Sequence, residues 1–146
     1  PVSHLRVILE KIRVTDDHDP WIKGRGDITL QSVVGFGTSP DRRHRVRLPA
    51  VGEVKIGDRP GHNEYTFDVC LFDGYVAESD AMSVELAPTE HDLFDPDDRF
   101  VVYRRSFAGP PETWVGRFGP EDEPGVDPER MADWMVWYRI ESLPLA

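Results

Sequence analysis

Apolar side chains recur at every second position over much of this chain. Side chains alternate faces along an extended strand, so this period predicts strands with one face in a core. Eight segments carry it. Residues 5–14, LRVILEKIRV, form the first, with a bulge near Glu10 where the alternation slips. Residues 27–36, 43–49 and 64–72 follow, the last with Tyr65, Phe67, Val69 and Leu71 on one face. Residues 82–86 place Met82, Val84 and Leu86 inward, and 99–107, 112–118 and 134–142 complete the set. Residues 127–134, DPERMADW, predict one short helix near the C-terminus, with Asp127 as N-cap and Pro128 in the first turn.

Gly, Pro and Asp punctuate the gaps, and no repeat or linker divides the chain. The expectation is one all-β domain over residues 1–146, an antiparallel sandwich or barrel. If each strand runs opposite to the one before, connections 15–26, 50–63, 87–98 and 119–133 share one end. Connections 37–42, 73–81 and 108–111 share the other. The first end then receives most of the carboxylates, among them Asp16, Asp17, Asp19, Glu90, Asp92, Asp95, Asp97, Asp98 and Asp127. The second receives Asp41, Asp73, Glu78 and Asp80.

Charge sharpens this picture. The 146 residues are 39% hydrophobic, enough for a core, and carry a net charge of -10. That balance argues against nucleic acid as a partner, since nucleic-acid binders need a basic footprint. It favours a cationic partner, a metal, or plain solubility. Converging carboxylates repel unless they protonate or bind a cation. Hard oxygen ligands at this density suit calcium, which takes about six to eight oxygens. The single cysteine, Cys70, lies in the run YTFDVCLF and reads as a small core residue. No run approaches the roughly 18 apolar residues of a membrane-spanning helix, and PVSHLRVILEK lacks signal-peptide character. Synthesis in the cytoplasm is expected, with an extracellular or particle-associated destination left open.

The stretch EHDLFDPDD carries the sharpest motif. A helix-loop-helix calcium loop is a poor match elsewhere: DHDPWIKGRGDI starts with Asp17 and Asp19 but has Trp21 and Ile22 where a ligand and a glycine belong. EHDLFDPDD instead resembles the third calcium loop of C2 domains, the calcium- and phospholipid-binding β-sandwiches. Two acids stand two apart and a third follows six later, as Glu90, Asp92 and Asp98 do here. Glu90 departs from the family's usual aspartate. GHNEYTFDV resembles the family's entry to a central strand, and GRGDITL the segment in which an aspartate opens the second strand. The resemblance covers most of residues 3–118, and the last strand suits the family's circularly permuted topology.

The resemblance implies an eight-stranded antiparallel C2-like β-sandwich and a Ca2+ site. Its ligands would be Asp27, Glu90, Asp92 and Asp98, with Asp95 as a further oxygen donor. Asp17 and Asp19 both stand as first-loop candidates, between which spacing does not choose. Phe94 falls where the family places a side chain that enters the lipid interface. Leu93 beside it, and Trp21 and Ile22 on the neighbouring loop, would be membrane or partner contacts. The alternative for these apolar residues is to fold back over the end of the sandwich.

Other chemistry finds less support. The histidines show no zinc spacing, GFGTS reads as a turn, and no nucleophile motif is present. Trp114, Trp134 and Trp137 read as core or core-edge residues rather than a sugar platform. The expected function is therefore non-enzymatic: a calcium-binding module that docks to a phospholipid membrane or a protein partner. The alternative is a structural adaptor, a component of a larger assembly in which any calcium is purely structural.

Overall fold

Leu5, Val7, Leu9, Ile12 and Val14 are all fully buried. Each buried side chain of this size contributes about 1.5–3 kcal/mol, and together they define the first strand, β1, Val2–Val14. Their spacing lengthens by one residue between Leu9 and Ile12. At the same place the register against both neighbouring strands slips, between Leu9 and Lys11. The bulge expected near Glu10 is therefore present, and it keeps the apolar row inward. On the partner strand Asp68 adopts φ 50, a left-handed conformation that aspartate tolerates better than most residues.

The computed structural model describes residues 2–16, 26–57, 59–91, 98–120 and 127–145. Two sheets, both antiparallel, face each other across one apolar core. In sheet A, β1 lies between β5, Glu64–Ala77, and β10, Trp134–Leu143, with β9, Gly116–Phe118, beyond β10. In sheet B, β2, Gly26–Phe36, lies between β3, Arg43–Leu48, and β6, Met82–His91. The short β4, Val54–Ile56, continues along β2 past β3. β7, Asp98–Arg99, and β8, Tyr103–Phe107, pair in turn along β6. Among the described residues ten strand segments fill the two sheets, where the sequence pattern predicts eight strands.

Four local expectations need correction. The strand expected over 99–107 is interrupted because Val101 is captured from the other sheet. Its N–H donates to the buried Asp133 carboxylate at 3.1 Å, and its carbonyl accepts the Trp134 indole N–H at 2.7 Å. The strand expected over 112–118 is a 3-10 turn, Pro111–Trp114, followed by three-residue β9. Trp114 anchors that turn by burial and by its indole bond to the Ala108 carbonyl at 2.9 Å. Residues 127–134 form no helix. Asp127 does accept the Glu129 N–H, but Met131 N–H donates forward to Trp134 and Val136 N–H to Glu129, a sheet-like pairing. Cys70 is exposed rather than in the core, because it alternates with Val69 and Leu71, which take the inward face.

The missing helix has a second cause. Glu129 is buried between the sheets. Its carboxylate accepts the Tyr103 hydroxyl at 2.7 Å and Arg105 Nη1 at 2.8 Å. Tyr103 also shares a hydrogen bond of 2.6 Å with Tyr138. Arg105 lies 4.7 Å over the Phe118 ring. β8 and β10, in opposite sheets, are thus joined through one carboxylate on the 127–133 segment. Glu129→Ala would leave the half-buried Arg105 guanidinium without its carboxylate and Tyr103 with only its bond to Tyr138, at a cost of about 2–3 kcal/mol. Tyr138→Phe removes a single hydrogen bond and should cost about 1 kcal/mol. Urea unfolding of both variants checks the order of these effects.

Candidate functional site

Pairing fixes which connections meet. At one end of the sandwich β1 ends, β2 begins, β4 ends, β5 begins, β6 ends and β10 begins. Arg13 pairs with Glu64, Val14 with Trp134, Gly26 with Ile56, and Asp27 with His91. The bonds from Val101 to Asp133 and Trp134 join the two sheets at this end. The connections after β1, β4, β6 and β9 therefore leave from one end, as strand counting predicts. Arg42, bidentate to Asp80 at 2.8 Å, lies at the other end.

Of the candidate ligands, Asp27 and Glu90 have described side chains. Asp17, Asp19, Asp92 and Asp95 lie outside the described residues, as do the candidate contacts Trp21, Ile22, Leu93 and Phe94. Asp98 opens β7, where its backbone pairs with Glu90. Asp27 faces outward from sheet B, and its Oδ1 accepts Lys55 Nζ at 2.7 Å from the adjoining β4. Beside it, His91 Nε2 and Thr29 Oγ1 are 2.7 Å apart.

Glu90 pairs with Ile28 and shares its inward face. Its side chain is buried, at 3% exposure, and lies against Gly26. A Cβ at Gly26 would stand 2.2 Å from Glu90 Oε1, so only glycine admits the carboxylate in this position. Neighbouring residues on one strand point to opposite faces. Asp27 and Glu90, one register step apart, are thus close in backbone yet do not converge as carboxylates. Among the described residues no group of three or more His, Cys, Asp or Glu lies together as a metal site.

Four described acids at this end are internally engaged. Asp133 holds Val101, Glu129 holds Tyr103 and Arg105, and Asp27 holds Lys55. Glu64, at the start of β5, accepts Arg13 Nε at 2.7 Å and lies 3.7 Å from Lys11. Sequence reading missed Glu129 and Asp133 because a helix over 127–134 would have exposed them. The signal available was their setting, acids interleaved with Met131 and Trp134 in DPERMADW. Among the described residues no helix is long and apolar enough to cross a membrane.

These pairings set opposite pH responses. The Arg13 hydrogen bond is the largest influence on Glu64 and lowers its pKa from the usual glutamate value. A carboxylate lowered on folding contributes stability above its unfolded pKa and loses it as pH falls through the folded value. Glu129 runs the other way. Burial is the largest influence and raises its pKa, against the Tyr103 and Arg105 bonds. Its stabilising contribution is full below the unfolded glutamate pKa and is lost as pH rises through the raised value. Urea midpoints across about pH 3 to 7 should therefore separate the two. Glu64→Gln should shallow the acid limb, and Glu129→Gln should remove the decline in stability that comes as pH rises above the unfolded glutamate pKa. No protein-family model matches the chain and no curated protein matches it, so function has to be read from these residues and their geometry.

Proposed function

We propose that this chain is a non-enzymatic, C2-like calcium-binding module that docks to a membrane or protein partner through its acidic loop end. One observation carries the reading. Asp27 pairs with His91 and Ile28 with Glu90. The start of β2 and the end of β6 are therefore adjacent, so the connections carrying Asp17, Asp19, Asp92 and Asp95 are rooted side by side. Two acidic connections with a common root meet the first requirement of a multidentate oxygen site. Calcium would neutralise them, and Leu93, Phe94, Trp21 and Ile22 would make the contact.

A second reading is favoured by a different observation. Asp27 already has a cation, the Lys55 ammonium at 2.7 Å. A structural adaptor within a larger assembly needs only a stable sandwich, and internal cations can serve where calcium otherwise would.

Thermal unfolding separates the two. Calcium that binds the folded state should stabilise it by about 2.7 kcal/mol at a hundredfold excess over Kd. For a domain of this size that is a rise of several degrees in Tm. Asp92→Asn should reduce the rise and leave the melting curve in chelator unchanged. Absence of any rise at millimolar calcium would sink the calcium reading and favour the adaptor. Given a rise, the Leu93→Ala, Phe94→Ala double variant should lose calcium-dependent binding to phosphatidylserine vesicles. Undiminished vesicle binding would rule out those side chains as the anchor.

A further inference from the structure

The outer face of sheet A carries a groove of about 530 Å³. Lys11 of β1 pairs with Thr66 of β5 on one side and with Trp137 of β10 on the other. Arg117 of β9 and Gly119 complete the wall. The volume falls in the range of small-molecule sites, about 300–1,000 Å³.

Its polar groups are mostly donors, and the one carboxylate on its described wall, Glu10, is held by Arg139 at 3.6 Å. The Thr66 hydroxyl, the Trp137 indole N–H and the Arg117 guanidinium make no side-chain hydrogen bond or ion pair among the described residues. Charge points the same way. Arg117 is the direct cross-strand partner of Arg139, and like charges in that relation repel. Arg139 is met by Glu141 at 2.7 Å and Glu10 at 3.6 Å, whereas Arg117 meets no carboxylate among the described residues. Lys11 Nζ stands 4.6 Å over the Trp137 ring, with Glu64 only 3.7 Å away as its counter-ion. A chain of net charge -10 thus gathers cations and open donors around one half-buried indole. Gly119 is the position that lets this indole lie where it does, since a Cβ there would stand 2.2 Å from Trp137 Cδ1.

We propose that this groove binds a sugar-sized molecule bearing an oxyanion, a carboxylate or a phosphate, with Arg117 as the charged anchor and Trp137 as the apolar floor. A guanidinium matches either oxyanion with paired donors. The indole N–H and the Thr66 hydroxyl supply neutral donors for the remaining oxygens, and the volume exceeds what a bare anion fills.

Indole N–H signals in a proton–nitrogen NMR spectrum test this directly, with chelator present so that the acidic loop end plays no part. The Trp137 signal is the one missing from the spectrum of Trp137→Phe. Glucuronate and glucose 6-phosphate are the two probes, with glucose and inorganic phosphate as controls. Saturable displacement of that signal by one or both acidic sugars supports the site, and the one that binds distinguishes carboxylate from phosphate. Arg117→Gln should raise the dissociation constant by about tenfold or more, the loss of a charge-assisted bond. Gly119→Ala, which forces Trp137 aside, should also weaken binding. No saturable displacement by either acidic sugar up to about 20 mM, well above a millimolar Kd, overturns the proposal. So does equal displacement by glucose, equal affinity for inorganic phosphate, or unchanged affinity in Arg117→Gln.

Discussion

A carboxylate buried between two sheets must be met by donors from the elements around it, and Glu129 imposes that condition on this fold. Tyr103 and Arg105 reach it from sheet B, and Tyr138 closes the set from sheet A through its bond to Tyr103. The desolvation cost of a charge in such a place exceeds what one hydrogen bond returns, so the arrangement holds only if every partner is present. That makes the 127–133 segment a clasp. It carries Glu129 into the interior, and four residues later Asp133 takes the Val101 N–H. The two sheets are fastened at the end from which the acidic connections leave.

This changes the meaning of the chain's negative charge. An acidic end looks in the abstract like a cluster awaiting a cation. The acids whose contacts are known there are largely spoken for: Glu64 by Arg13, Asp27 by Lys55, Glu129 by Arg105. Glu90 is buried against Gly26 near the end of β6. A calcium site at this end would therefore draw its oxygens chiefly from the connections, with the strands acting as a neutralised base. The edges of the sheets show comparable care. β3 is an edge strand with Arg43, Arg45 and Arg47 all exposed, and β5 carries two register slips. Charges and bulges of this kind oppose uncontrolled pairing with other strands.

Much of the fold was legible because period two is a strong signal when one face is buried. The row Leu5, Val7, Leu9, Ile12, Val14 declared both the strand and its bulge, and antiparallel order followed from turn residues alone. What escaped was tertiary capture. Nothing local in RFVVYRRSF says that Val101 will leave the ladder, because the groups that hold it are Asp133 and Trp134. The helix signature at Asp127 and Pro128 is genuine chemistry, and Asp127 does accept the Glu129 N–H as an N-cap would. Long-range burial of Glu129 overrides it. Cys70 was misplaced for a smaller reason: with Val69 and Leu71 inward, alternation alone turns it outward. For the site, the shared end of the acidic connections could be read by counting strands, whereas the adjacency of two of them and the opposite facing of Asp27 and Glu90 needed the register.

Glu64 connects the loop end to the groove on sheet A. Its carboxylate accepts from Arg13 and lies near Lys11, and both cations stand over the Trp137 ring, at 5.0 and 4.6 Å. An acidic ligand in the groove would compete with Glu64 for Lys11, whose 3.7 Å separation marks the looser of the two pairs. Arg13, bound through two nitrogens, would stay. The competition is therefore graded by geometry: the ammonium can turn toward a ligand without undoing the pair that fastens β5 to β1. Arg117, with no carboxylate partner among the described residues, needs no such release. That difference makes it the anchor and Lys11 an adjustable neighbour.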